Sequence, residues 1–594
     1  MNGKYIMAHS FVAVLRTGSE AEGNISENIL SGSDKSKYIF SSTDNRFEIM
    51  FTERNNSKNI NTHGPAEFND ISLILGDDCE WPDTSGKKCM ANGISMTFDM
   101  KNRKMEILTS IVGLPPLFLY KDKGISILTS DIYLLAEHPG VKLKFDPEGI
   151  ADLFVIGHPI LHRTLFRNCI MVTGGYKIEI GADGDFSLSR AWTKPEVVPL
   201  SDWGIFVDMQ TECFKNAIKN LDLHDSFLSL TGGLDTRAIL SEFIKNNRKI
   251  PSYTMSGPEH SLDARIAKKL SETYGLDHRI ITIDEDFHRD LPKYVEEASR
   301  FSGGLYSIEQ ATEVYFYRKI GRSFHGRVSG NLGNQIGRRG TEKISLKGSD
   351  TSILEKDLIG NNRLSKHWYN DSSMVNGRLD YTFLLQNEVP FSSVGNYCIG
   401  NHFAVQQSPY SNCNLIDNTF RMPSGGADDK HLSILRLRLN DLRHRFLGES
   451  ESGSFQRKLI RENGGYASYY PINWGWRAAG GVSVPGLAMG VLTFMDALAH
   501  SRGLDDRFVG KAMKKMNISG LHEFRKNKIW IDTSLREYVR DTLSTNSTRE
   551  CGMFNYDKLQ IMLEEHYSAK SDHSKTLLSA MDLALARNLL HVDV

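Results

Sequence analysis

The segment Ser226-Phe-Leu-Ser-Leu-Thr-Gly-Gly-Leu-Asp-Thr-Arg-Ala-Ile-Leu240 gathers the residue types needed to handle a polyphosphate. Gly232 and Gly233 have no side chains, so backbone N–H groups can close around an anion. Thr231 and Thr236 supply hydroxyls, and Leu230 and Leu234 flank the turn with main-chain groups. Asp235 repels a bare anion; its natural task is to hold a magnesium ion that bridges to phosphates. A loop of this make-up suits an enzyme that splits ATP between its α and β phosphates and captures the pyrophosphate. A plain strand-to-helix turn with two convenient glycines would share these letters.

The flanking residues predict the elements that position this loop. Phe227 to Leu230 read as a short strand. A helix is expected from near Thr236, with Ala238, Ile239, Leu240, Phe243 and Ile244 on its packed side. Its N-terminus adds partial positive charge at the phosphate site. Ser252 to Ser256 predict a second strand ending at Gly257-Pro258, Asp263 to Tyr274 a helix stopped by Gly275, and His278 to Ile283 a third strand. Strands alternating with helices predict a parallel sheet with right-handed crossovers, and such sheets bind ligands at the carboxyl ends of their strands. The loop after Leu230 would hold phosphates. The loop at Ser256 and Gly257 would face base or ribose, or would be a simple connection. A further strand at His325 to Ser329 runs into another glycine turn, Gly330-Asn-Leu-Gly-Asn-Gln-Ile-Gly337.

Composition narrows the class. A chain of 594 residues implies two to four domains. A net charge of −1 gives no general electrostatic reason to expect nucleic acid or an anionic membrane. No apolar run reaches bilayer-spanning length, and Phe11-Val-Ala-Val-Leu15 is too short for a signal-peptide core. The seven cysteines are scattered without a CxxC pair, which argues against a zinc site or disulfide framework. A cytoplasmic protein with reduced thiols is expected.

Taken together, these motifs resemble the asparagine synthetase (class B) type of amide-forming ligases. Thr231 to Thr236 resemble that family's Ser-Gly-Gly-Leu-Asp-Ser loop, with threonine at both hydroxyl positions. Tyr253 to His278 resemble its second strand, the following helix and its Gly-x-x-His turn. Ser329 to Gln335 stand where the family has Ser-Gly-Glu-Gly-x-Asp-Glu, and Ser408 to Asn412 resemble its Pro-Phe-Leu-Asp segment. Lys430 falls at about the place of the catalytic lysine. Upstream, Gly113 to Tyr120, Gly124 to Ser130, Gly174-Gly175-Tyr176 and Ala191-Trp192 resemble the glutaminase domain. The resemblance implies a chain of α+β and α/β class. Residues 1–197 would form a degenerate glutaminase-like (Ntn-type) antiparallel β-sandwich, and residues 198–447 an α/β ATP-pyrophosphatase (PP-loop) synthetase domain. Residues 448–594 would supply an insertion and the helical C-terminal part of that synthetase domain.

Departures from the family pattern shape the functional expectation. The family's glutaminase needs a cysteine after the initiator methionine, acting as nucleophile with its own amine as base; Asn2 stands there, and the nearest cysteine is Cys79. Where the family places an arginine to grip the glutamine carboxylate, this chain has Thr109, which removes a bidentate pair. Glutamine hydrolysis is therefore not expected. The second metal-holding acid is replaced by Asn334, its neighbour by Gln335, and a motif glycine by Leu332. Arg237 would either add positive charge near pyrophosphate or point along the helix surface. No acid matches the family's acid/base glutamate near Phe301–Ser302, although Glu296, Glu297 and Glu309 are close by.

The resemblance is strongest to relatives that adenylate a carboxylate and let an amine of the same substrate attack it, such as β-lactam synthetases and lasso-peptide cyclases. It implies ATP and Mg2+ as cofactors, with Asp235 and Asn334 as metal ligands, Lys430 and Asp235 as catalytic residues, and Leu230 to Thr236 with Ser256, Gly257 and Gly330 around the nucleotide. Substrates would be a small-molecule or peptide carboxylate and amine, with a precursor-processing protein as a candidate partner and neither nucleic acid nor membrane. Two alternatives stay open: an ammonia-using amidating enzyme of surface-polysaccharide or amino-acid metabolism, and a nucleotide-binding pseudoenzyme. The aromatic and glycine clusters between Gly448 and Asn546 resemble nothing known and would line a substrate groove or cap the fold.

Overall fold

The computed structural model describes residues 104–181, 185–258, 260–321, 324–337, 349–356, 381–423, 453–472, 477–479 and 527–593, together with strand backbone between residues 5 and 99 and at 374–375 and 378–379. Lys430, Cys79, Asn2 and most of the aromatic and glycine clusters at 474–485 lie outside the described residues.

The first part of the chain builds two six-stranded sheets. One runs Tyr5–Ala8, Asp70–Gly76, Gly93–Asp99, Lys104–Thr109, Tyr176–Ile180, Phe186–Arg190; the other runs Cys169–Val172, Leu117–Asp122, Ile125–Thr129, Ser10–Arg16, Phe47–Glu53, Ser36–Ser41. Neighbours pair antiparallel except Tyr5–Ala8, which lies parallel to Asp70–Gly76. Alternation decides the faces: Ile178 and Ile180 are buried while Lys177 and Glu179 between them point outward and ion-pair. Ile94, Met96, Met105 and Ile107 of one sheet meet Ala13, Leu117, Leu119 and Leu128 of the other in a shared core.

The second part is organised by a parallel sheet in the order His278–Thr282, Ser252–Ser256, Ser226–Ser229, Gly326–Val328, Val405–Gln407. The strand leading into the glycine loop is central and buried on both faces. Phe227 packs against Tyr253, Phe316 and Phe324 on one side. Leu228 joins Val328 and Ile239 on the other. The helix Leu262–Tyr274 ends on Gly275 at φ 61°, the left-handed position that favours glycine.

Packing crosses the expected boundaries. The helix Ser454–Asn463 lies against the helix Leu234–Lys245, with Phe455, Leu459 and Ile460 in the core that holds Leu228 and Leu230. Helix Ser574–Leu590 shares its core with Phe118, Phe145 and Phe154 of the first part. The two halves also meet at a π-helical turn, Leu384–Glu388, which runs into the helix Val389–Phe403. Its Gln386 side chain accepts from Arg190 (2.8 Å) and donates to the Gly174 carbonyl (3.3 Å), and Glu388 pairs with His158 (3.2 Å). A wide turn of this kind re-aims side chains that a regular helix would direct elsewhere.

Candidate active site at the carboxyl edge of the parallel sheet

The loop after Ser226–Ser229 opens directly into the helix Leu234–Lys245, two residues earlier than the sequence pattern suggests. Gly233, in extended backbone (φ −71°, ψ 175°), is the N-cap, so Asp235 sits inside the first helical turn. An acid at that position is favoured by the helix dipole, and its carboxylate lies beside the site the dipole serves.

The loop is bonded to its own chain. Thr231 N–H donates to Thr236 Oγ1 (3.2 Å), Gly233 N–H to Thr231 Oγ1 (3.3 Å), and Gly232 N–H to the Asp263 carboxylate (2.9 Å). The donors expected to surround an anion are therefore occupied by side-chain oxygens, and an incoming phosphate must take their place. A Cβ on Gly232 would lie 2.8 Å from Asp263 Oδ1 and 2.9 Å from Ile266 Cδ1, so both side chains would have to shift.

The turn after Gly326–Val328 closes on the acid. A Cβ on Gly330 would lie 2.9 Å from Asp235 Cβ, and one on Gly333 would lie 2.4 Å from Asp235 Cγ. Asn334 follows directly in the short helix Gly333–Gly337, so both expected metal ligands lie in the segments that meet here. Leu332, where the resemblance implies a glycine, adopts the left-handed backbone at φ 67°. Its buried side chain joins the core beneath the loop.

The sequence expectation for Arg237 needs correction. Arg237 neither approaches pyrophosphate nor lies along the helix surface. It is fully buried, and its guanidinium donates to the carbonyls of Gly232 (3.0 Å), Ala467 (3.2 Å), Tyr470 and Pro471 (3.0 Å). Burial lowers its pKa to about 10, which still leaves it charged at neutral pH. It straps residues 467–471 beneath the loop, aided by Tyr274 Oη, which accepts from Ala467 N–H (2.8 Å). Ser256 is fully buried, and its hydroxyl accepts from Ser261 N–H (2.7 Å), so it holds the second loop in shape; Gly257 beside it is half-buried. Leu230 is fully buried and contributes main chain, its N–H donating to Tyr253 O (3.0 Å). Of the acids near Phe301, Glu296 accepts from Tyr538 (3.0 Å) and Glu297 pairs with Arg318 (2.8 Å), while Phe301 stacks on His402.

The structure adds residues that sequence reasoning missed. Asp263 is one; both flanking strands end at the same edge, so an acid early in the second helix falls beside Gly232. Tyr410 and Gln456 are two more. Tyr410 Oη donates to the Asp235 carbonyl (3.0 Å), and Gln456 Nε2 donates to Asp235 Oδ1 (2.6 Å) and Tyr410 Oη (2.9 Å). Nothing in the sequence signals the contact of Gln456, which is separated from Asp235 by 221 positions.

Among the described residues no group of three or more His, Cys, Asp or Glu side chains could hold a metal alone. The donor chemistry here is oxygen: the Asp235 carboxylate and the Asn334 amide. That set fits a magnesium ion held by one carboxylate and largely by water and phosphate oxygens.

In the antiparallel part Thr109 is buried. Its hydroxyl donates to the Thr173 carbonyl (3.1 Å) and accepts from Tyr176 N–H (3.0 Å). Burial pushes the Cys169 thiol up to about 12 and Cys398 well above its usual value, so neither is a ready thiolate.

No family model matches this chain. Over 302 residues it is 22% identical to glutamine-hydrolyzing asparagine synthetase 3 of Bacillus subtilis (strain 168), a match covering 46% of this chain and 47% of that protein. The chain thus matches about half the length of this curated relative. Slight structural overlaps exist with glutamine phosphoribosylpyrophosphate amidotransferase from B. subtilis complexed with ADP and GMP (TM-score 0.19, 9% identity, 46% of this chain and 65% of that one). Another is with the U34-tRNA thiolase NcsA from Methanococcus maripaludis with its 4Fe-4S cluster (TM-score 0.17, 10% identity, 49% and 88%). The sequence similarity supports the asparagine synthetase superfamily as this chain's kin. No described helix is long and apolar enough to cross a membrane.

Proposed function

We propose that the protein is an ATP-dependent, AMP- and pyrophosphate-forming carbon–nitrogen ligase that works without hydrolysing glutamine. One observation carries this reading. The glycine turn after one parallel strand closes, through Gly330 and Gly333, on Asp235, which stands in the first turn of the helix that follows the glycine loop of the adjacent strand. A substrate carboxylate oxygen would attack the α phosphorus of ATP as the bond to the β-phosphate oxygen breaks. Pyrophosphate would leave into the 231–236 loop, where Thr231 and Thr236 hydroxyls and loop N–H groups exchange their internal partners for phosphate oxygens. Bound magnesium would neutralise phosphate charge; Asp235 and Asn334 are the residues proposed to hold it. An amine would then attack the acyl-adenylate carbonyl, releasing AMP and a proton. Lys430 is proposed to stabilise charge at the reacting carboxyl.

The lack of glutaminase chemistry is supported by Thr109, whose hydroxyl is committed to the backbone where the family would grip a carboxylate. A substrate carrying both acid and amine, as in macrolactam formation on a natural-product peptide, follows from that lack; free ammonia is the other amine source. The amide pair Asn334 and Gln335 and the internally bonded loop favour a second reading, nucleotide binding without turnover. Carboxylate-driven exchange of labelled pyrophosphate into ATP decides between these. Exchange supports the ligase, amide formation without added ammonia supports the lactam-forming version, and nucleotide binding with no exchange for any carboxylate supports the second reading.

A further inference from the structure

We propose that Gln456 is a positioning residue for the cation site at Asp235. The inference rests on the ligase reading above and deepens it. Gln456 is fully buried on the helix Ser454–Asn463, within the region that resembles nothing in the family. Its amide orientation is dictated by its neighbours. Nε2 reaches Asp235 Oδ1 (2.6 Å) and Tyr410 Oη (2.9 Å), and the Tyr410 proton is already committed to the Asp235 carbonyl (3.0 Å). Reversing the amide would press Oε1 against a carboxylate oxygen and against a hydroxyl with no proton left to give. Gln456 therefore pins one oxygen of the carboxylate and so fixes its plane. A neutral donor does this without cancelling the charge that a cation needs, as lysine or arginine would. In a site whose other expected ligand is an amide, Asn334, that single charge must stay available and correctly aimed. Outer partners of metal ligands typically govern affinity by about ten- to a hundredfold.

The test uses the full chain, with Mn2+ as the probe, pyrophosphate present, and bound ion read by electron paramagnetic resonance. Gln456→Leu is expected to weaken Mn2+ binding about ten- to a hundredfold. Gln456→Glu, which adds a second carboxylate beside Asp235, is expected to tighten it. Mn2+ affinity equal to wild type in both variants, with melting temperature alone changed, overturns the proposal and leaves Gln456 a packing residue. If Gln456→Leu does not fold, Tyr410→Phe removes only the hydroxyl that holds the amide's second N–H. Several-fold weaker Mn2+ there supports the proposal, and unchanged affinity overturns it. Wild-type protein that binds no Mn2+ overturns both this proposal and the ligase reading, whereas binding that is indifferent to Gln456 overturns this proposal alone.

Discussion

Thr109 and Asp235 sit in two architectures, one at the end of an antiparallel strand and one in the first turn of a helix, and the chain treats them in opposite ways. At Thr109 the hydroxyl stitches neighbouring backbone, bonding Thr173 O and Tyr176 N–H. At Asp235 a carboxylate is kept inside a helix start and ringed by glycines that leave no room for anything larger. Polar groups in the first region close on the chain itself for good, because strands on either side fix them. In the second, the same kind of closure is made by side chains that a phosphate can displace. Self-satisfied hydrogen bonds thus tie Thr109 between fixed strands and tie the 231–236 loop together at a sheet edge.

The largest effect should come from Asp235→Ala. Pyrophosphate exchange should fall about a hundredfold or more, the loss typical of removing a main electrostatic group; an unchanged rate would erase the contrast with Thr109. Gly333→Ala comes next. Its Cβ would intrude to 2.4 Å from Asp235 Cγ, so Mn2+ affinity should drop while the β-sheet half keeps its circular dichroism. Thr109→Val should cost about 1–3 kcal/mol, because the Tyr176 N–H loses its acceptor, yet leave exchange per folded molecule unchanged; denaturant melts alongside exchange assays would show this.

Acid should also act on the parallel sheet. Burial lowers the His278 pKa from 6.5 to about 4, with its ring held by Ser252 and Thr254. Between these values the unfolded chain binds the proton and the folded one does not, so stability falls as pH drops through 6.5 toward 4. His278→Gln should flatten that slope in melting temperature against pH. The smallest test concerns Leu332. At φ 67° Gly should outperform Ala by about 1 kcal/mol, reversing the usual order, and thermal melts of the two variants would resolve it.

Much of the parallel sheet was legible because local signals agreed. Apolar runs, Gly275 as a helix stop and the glycine loop each specify structure over a few residues. Asp235 could be picked out for the same reason. Arg237 was misread because helical periodicity places it without revealing what lies above; its partners come from residues 467 to 471. Gln456 was illegible for a related reason, since a contact across 221 positions leaves no trace in spacing. The sequence groups 448–594 with the preceding α/β part, but it does not reveal that the helix Ser454–Asn463 packs on the helix Leu234–Lys245, because composition records neither partner nor direction.

The π-helical turn at Leu384–Glu388 has a practical meaning for anyone who wishes to dissect the molecule. Glu388 and His158, with side chains only 12% and 4% exposed, answer each other across the seam, and Gln386 is claimed by Arg190 and Gly174. A fragment expressed from residue 198 onward would lose these partners and bare the apolar surface that Phe145 and Phe154 cover on the helix Ser574–Leu590. The nucleotide half should therefore emerge as insoluble material, rescued when residues 1–197 are supplied on the same chain.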